Sequence, residues 1–353
     1  MNIPEASTPE ASIPEAAPAL RAIRSRRASA IERAGYAPVP RATPPLAEPP
    51  ASVDSGAPPP RTRAAARTAA RTAAEAPPRP GIVALVHDGR GAGVVDALAA
   101  GMAGALAGGD HVLTLLPCPA KHAAERLAAF LDRHRPAAVI LAPPLADRDD
   151  LAALCHHARV ACARVGAGSG FAADLVADER DAAASAVRRL VASGHVRIGL
   201  VAGPDGSSSA QRRELGYLDA MAERGLDRGP ALIVPGDDSF ESGIEAGRLL
   251  LEISPRPTAI LASNDEMAAG VLHAASQAGV AVPAALSVIG FDDTRLAART
   301  LPPLTSIRLP WQRIGGEIVH RMFSAEAAAE AGVVLLETEL VERGSTAPPG
   351  QAA

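Results

Sequence analysis

The chain reads as an α/β protein built on parallel sheets, and three observations predict this. From Gly81 onward, short apolar runs alternate with helix-length stretches, and a continuously apolar strand flanked by helices belongs to a sheet covered on both faces. Hydrophobic residues make up 48 % of the 353, enough for a sizeable core, yet aromatics supply 2 %, so Ala, Val, Leu and Ile must fill it. The beginning of the chain is different, because 16 of the 32 prolines fall within residues 1–80.

Segments such as PRATPPLAEPP and SGAPPPR cannot hold a helix, since proline lacks the N–H and restricts the residue before it. Residues 1–79 are therefore expected to be a largely disordered Pro/Ala/Arg-rich arm. Two pieces have helical composition, 19–34 (ALRAIRSRRASAIERA) and 61–75 (RTRAAARTAARTAAE). The second has almost no apolar stripe and would be marginal alone.

After the arm the rhythm is regular. The run IVALV (82–86) precedes a glycine-bearing loop and a helix near 92–108; HVLTLLP (111–117) precedes a helix at about 120–134. AAVILAP (137–143) leads to a helix near 147–158 and then VACARVG (160–166). A helix over 179–193, the strand VRIGLVAG (196–203), a helix over 209–224 and ALIVPG (231–236) follow. The series closes with a helix near 239–252, TAILASN (258–264), a helix near 265–278 and LSVIGFD (286–292). In open sheets of this kind, ligands bind at the carboxyl ends of the strands.

Charge and cysteine usage narrow the function. The net charge of −4 divides into +4 for residues 1–80 (11 Arg, 7 acids) and −8 for the remainder. A mildly basic arm on an acidic body suits a tail near nucleic acid, and equally a solvated linker. Cys118, Cys155 and Cys162 have no C-x-x-C spacing and read as small buried hydrophobes in a reducing compartment. The acids and prolines of MNIPEASTPEASIPEA do not make a signal peptide, and no apolar stretch is long enough to span a bilayer, so a cytoplasmic location without membrane attachment is expected. No metal-ligand pattern or cofactor fingerprint stands out, and neither is expected. GRGAG (89–93) misses the dinucleotide spacing because position 96 is Asp96. No G-x-S-x-G or H-E-x-x-H pattern occurs, and Asp292 and Asp293 are sequence neighbours whose side chains diverge, unlike an acid/base pair. A catalytic role is not expected.

Four segments carry the functional reading. They are DERDAAASAVRRLVASGHVRIGLVAGP (178–204), QRRELGYLDAM (211–221), PTAILASNDEMAAGVLHAASQAGVAVPAALSVIGFDD (257–293) and PPLTSIRLPWQRIGGEIV (302–319). Together, in order and spacing, they closely resemble the effector-binding domain of the LacI/GalR family of bacterial regulators, over roughly 80–346. The resemblance implies two Rossmann-like lobes, periplasmic-binding-protein-like, closing on a small polar metabolite such as a sugar. It implies an N-lobe of about 80–177 and 308–330 and a C-lobe of about 178–307 and 331–346, with crossovers near 177, 307 and 330 and a tail at 347–353. A homodimer is implied as well.

By that resemblance Arg213, Asn264 and Asp292 match the positions that hold the effector, and Asp88 sits where a further polar contact is often placed. Their chemistry agrees. Arg213 offers a planar five-donor fork suited to hydroxyls, carboxylate or phosphate. Asn264 and Asp265 follow a buried strand and can cap a helix while facing a cleft, and Asp292 can accept two hydroxyl donors. The plainer alternatives are an exposed helix arginine for Arg213, capping alone for Asn264 and a turn for Asp292. Two departures from the family pattern bear on the ligand. DGRGAGVV (88–95) replaces an Asn-Pro-aromatic turn, and GDDSFESG (236–243) puts Asp238 where an aromatic is common. Rings there commonly stack on the ligand, so a small, strongly polar effector is expected, with Phe171 or Phe240 as alternative rings.

At the other end, SRRASAIERAGYAPVPRA (25–42) resembles the last helix of the family's DNA-binding headpiece and the start of its hinge. Arg24, Arg26, Arg27 and Tyr36 are the remnant's candidate DNA contacts. The preceding residues have no counterpart of the recognition helix that reads base edges, and operator DNA is a partner if a functional headpiece exists. The expected function is a ligand-responsive LacI-type repressor or regulator. An effector-binding protein without specific DNA binding, and a periplasmic-type sugar-binding protein, stand as alternatives.

Overall fold

The computed structural model describes residues 81–166, 175–324 and 334–350. The arm, its two helical pieces, the DNA-contact candidates Arg24, Arg26, Arg27 and Tyr36, and Phe171 lie outside these residues, as does the crossover expected near 330.

The first lobe begins with β1 (Ile82–His87), α1 (Ala92–Leu106), β2 (Val112–Pro117), α2 (Ala123–His134), β3 (Ala138–Leu141), α3 (Asp149–His157) and β4 (Ala161–Arg164). Its four strands are parallel, as the alternating pattern predicts, and they lie in the order β2-β1-β3-β4. All four residues of β3 and the middle four of β1 are buried, because helices cover both faces of these inner strands. β2 departs from the expectation of a fully buried strand. It lies at the sheet edge, with Val112 65 % and Leu115 46 % exposed.

The second lobe contains α4 (Glu179–Ala192), β6 (Ile198–Ala202), α5 (Ser208–Glu223), β7 (Ile233–Pro235), α6 (Phe240–Leu251), β8 (Ala259–Ala262), α7 (Asp265–Gln277), β9 (Ser287–Asp292) and β10 (Thr305–Arg308). The chain then makes α8 (Trp311–Phe323), which packs against α1 of the first lobe, and returns through β11 (Val334–Leu336) to β12 (Glu339–Val341). The second sheet has the order β12-β10-β9-β8-β6-β7. It is parallel except at β12, which pairs antiparallel with β10 and was not foreseen from the sequence. Between the lobes, β5 (Leu175–Ala177) runs parallel to β11, so two of the connecting segments form a two-stranded ribbon.

Close helix pairs set the thickness of each layer. A Cβ on Gly101 of α1 would lie 1.8 Å from the Gln312 carbonyl oxygen, and one on Gly315 of α8 would lie 2.3 Å from that of Leu98. The motif around Arg213 has the same logic. A Cβ on Gly216 of α5 would sit 2.0 Å from the Arg180 carbonyl oxygen of α4, while Tyr217 is fully buried and donates to the Ile198 carbonyl at 2.8 Å. The Gly194 turn after α4 has φ +101°, and it places the buried His195 between the Thr258 hydroxyl and the Ala347 carbonyl, each 2.9 Å away. Burial lowers the pKa of this imidazole, so it serves as a neutral staple for the end of the chain.

Candidate functional site

The carboxyl ends of β1, β3, β6, β8 and β9 meet at one cavity between the two sheets. Its volume is about 60 Å3, room for roughly four to six waters. Arg213, Asn264 and Asp292 are all on its wall. Asp88 is not. Its Oδ1 accepts the Arg90 backbone N–H at 2.9 Å and shapes the turn after β1, while Arg90 itself lines the cavity. Phe240, the other ring candidate, stacks at 5.7 Å against His273 of α7 and is absent from the wall.

Arg213 is 7 % exposed, which excludes the surface-arginine reading. Its Nε donates to Glu179 Oε2 at 2.7 Å and a terminal nitrogen to Asp292 Oδ1 at 3.2 Å; the other terminal nitrogen donates to the Ser263 carbonyl. The guanidinium lies over the Phe291 ring at 4.0 Å. A guanidinium so held is a structural hub as well as a wall element. Burial alone would raise the Glu179 pKa, but Arg213 and Arg212 outweigh it and keep the carboxylate ionised.

Asn264 performs both roles open to it. Its Oδ1 caps α7 by accepting the Met267 N–H at 2.8 Å, and its Nδ2 donates to the Asp238 carbonyl oxygen and Oδ1 at 3.1 and 3.3 Å. Asp292 ends β9 at φ +99° and Asp293 follows at +50°, so the strand turns sharply where the two side chains part. Asp292 faces Arg213 and accepts from Trp311 Nε1 at 3.3 Å, whereas Asp293 pairs with Arg308 and Arg343 at 2.8 and 2.6 Å. Asp265 faces neither. It holds Ser306 Oγ at 2.6 Å and the Thr294 N–H and hydroxyl at 2.6 and 2.9 Å.

Wall residues that sequence reasoning did not single out include Arg90, Ser207, Ser209, Ser263 and Trp311, and it read Asp238 as a missing ring and not as a wall carboxylate. Trp311, the single tryptophan, opens α8 and brings the aromatic surface that the expected positions lack. Asp238 sits at φ +69° on the loop after β7, and burial, with the nearby Asp292 and Asp88 charges, pushes its pKa up to about 6 against the pull of Arg213. Burial likewise raises Asp292, only partly offset by Arg213, and pushes Asp265 up to about 7. The lobes touch around the cavity. Arg90 donates to the Asp237 carbonyl at 2.6 Å, and Asp147 Oδ2 accepts the Ser208 N–H of α5 at 3.0 Å.

A two-lobed α/β fold with a polar cavity between two parallel sheets defines a solute-binding class, and comparison with known proteins agrees. Residues 187–346 match the family described as periplasmic binding protein-like domain. Its relatives are transcription regulators and its structural neighbours are LacI-family regulators. Catabolite control protein A of Priestia megaterium is 38 % identical over 172 residues, 48 % of this chain and 52 % of that protein. The chain spans about half the length of the curated relatives it matches. A LacI family transcriptional regulator from Mycobacterium smegmatis superposes with a TM-score of 0.64 at 26 % identity, covering 76 % of this chain and 99 % of that one. The transcriptional regulator CelR in its cellobiose complex gives 0.66 at 26 %, covering 80 % and 90 %.

Proposed function

We propose that the chain is a ligand-responsive LacI-type transcription regulator in which the inter-lobe cavity binds a small polar metabolite of sugar type. The observation carrying this reading is the convergence of Arg213, Asn264, Asp238 and Asp292 from one lobe, and Arg90 from the other, on a single cavity. A solute there contacts both lobes at once and favours one angle between them, by as much as its affinities for the two angles differ. In a cytoplasmic homodimer, as the LacI-family likeness supports, a changed lobe angle alters the spacing of two N-terminal arms and hence their hold on operator DNA. The wall offers carboxylates, hydroxyls, an amide and guanidinium groups that can position a polar solute. Binding without turnover is the expected chemistry.

Trp311 supplies the test. As the only tryptophan, on the cavity wall, it reports occupancy directly. A titrated sugar should change its fluorescence saturably, and the same sugar should alter the chain's retention of operator-type DNA in a gel-shift assay. A ligand that binds with Trp311 unmoved would place binding elsewhere. Saturable binding with no DNA response at any concentration would favour the effector-binding protein without a DNA role.

A further inference from the structure

The charges around the cavity are unbalanced, and this narrows the ligand. We infer that the effector carries a protonated amine on a small polyol frame, held between Asp238 and Asp292; this rests on the binding reading above.

The buried cation at the wall is already engaged through all three nitrogens, whereas the half-exposed Arg90 uses one. Arg213 gives donors to Glu179, Asp292 and the Ser263 carbonyl, and Arg90 pairs with Asp237, whose Oδ2 is 3.3 Å away. The wall carboxylates are less occupied. Asp238 accepts through Oδ1 from Asn264 alone, and Asp292 accepts through Oδ1 from Arg213 and Trp311. Each keeps its second oxygen free of any hydrogen bond among the described residues. Behind them stand Glu179 and Asp265, both buried. Burial is the main cause of the raised proton affinities of Asp238 and Asp292, and a positive neighbour would offset that burial at each.

An independent feature also points to a ligand. Ser263 is 2 % exposed and lies on the wall, yet its hydroxyl has no hydrogen-bond partner. A buried hydroxyl left alone carries an uncompensated desolvation cost, and a polyol hydroxyl entering the cavity would satisfy it. Trp311 adds an aromatic surface that suits either an ammonium or the apolar face of a sugar ring. An anionic ligand fares badly in this setting. To reach Arg213 it would have to displace Glu179, which Arg212 still holds, or Asp292, which would keep only the Trp311 N–H. A neutral polyol would fill the cavity but leave the excess charge standing.

The test is calorimetry of the full chain at pH 7 with matched triplets: glucose, glucosamine and glucose 6-phosphate, then galactose with its amino and phosphate counterparts. The amine-bearing member of at least one triplet should bind about tenfold tighter than its parent, with the phosphate weakest. Asp238→Asn should abolish that preference, because asparagine tolerates the positive φ and can still accept from Asn264. An unchanged melting profile confirms that the variant folds, and Asp292→Asn provides a second removal of charge. Equal or tighter binding of a parent sugar overturns the amine inference and leaves the sensor reading standing. A tenfold preference that survives both variants also overturns it. Silence from every member removes both.

Discussion

The two lobes build their halves of the cavity by different means, and the helix starts show it. Every long helix of the second lobe begins with a side-chain cap: Asp178 for α4, Ser207 for α5, Ser239 for α6 and Asn264 for α7. In the first lobe α1, α2, α3 and the returning α8 have none, and α1 starts from Gly91 in the left-handed region. A capped start fixes the loop before it to the helix axis, and in α5 and α7 that loop is cavity wall. The second lobe thus presents a rigid, pre-formed face. The first lobe brings Arg90 to the cavity on a glycine-flanked turn whose contacts are exposed, beside the apolar Val94, Val95, Pro143 and Pro144 and the ring of Trp311.

The sharpest way to break this comparison is Arg213→Met, which keeps bulk but removes the charge. Glu179 would retain Arg212 at 2.9 Å and the Ser209 hydroxyl, while Asp292 would keep only the Trp311 N–H. An uncompensated buried carboxylate should lower stability by about 3–5 kcal/mol in urea unfolding. A loss below about 1 kcal/mol would mean that the second lobe's face is no more rigid than the first's.

What was legible in the sequence follows the same division. Arg213, Asn264 and Asp292 were singled out by resemblance, and they share one wall because Asn264 and Asp292 lie at strand ends and Arg213 in the second turn of the helix after β6. Asp88 was misplaced because a loop of glycines carries no such fixed placement; the residue two places on is the one that reaches the wall. Trp311 stood in a quoted motif, but its partner Asp292 belongs to a strand before the crossover, and no local pattern links them. Asp238 was recognised as a departure and read as a missing ring, since its burial is a tertiary fact. The long helices and central strands emerged from periodicity. The strands β5, β10, β11 and β12 did not, because they lie at the crossovers and beyond, outside the strand–helix alternation that marked equally short strands such as β3 and β7.

The second prediction concerns the charge stored in the rigid face. Asp265, with a pKa pushed up to about 7, binds its proton more tightly in the folded chain than in the unfolded one. Its contribution to stability is therefore fully present below about pH 4 and is lost as pH rises towards 7. Asp265→Asn can still accept from the Thr294 N–H and hydroxyl, and should shrink the stability difference between pH 5 and pH 7.5 by roughly 1–3 kcal/mol. Asp238 and Asp292 shift in the same direction and remain, so the slope is reduced and not abolished; Glu179 works against them. An unchanged slope in urea titrations would show that Asp265 ionises freely in the fold.

The smallest effect on stability belongs to the first lobe's contact, and it sharpens the comparison most. Arg90 and Asp237 are each 49 % exposed, so Arg90→Ala should cost at most about 1 kcal/mol of unfolding free energy. Its consequence should instead appear in the lobe angle, because this pair spans the cleft while Arg213 and its partners lie within one lobe. Trp311 is 6 % exposed at the junction, so opening of the lobes should raise its quenching by acrylamide. Arg90→Ala should increase that quenching in the unliganded chain, and high salt should do the same to the parent chain by screening an exposed pair. A cavity ligand should reverse both changes, since it restores the bridge that the guanidinium provided. Quenching that stays constant across variant, salt and ligand would mean that Arg90 decorates a fixed interface, and the first lobe would then be as pre-formed as the second.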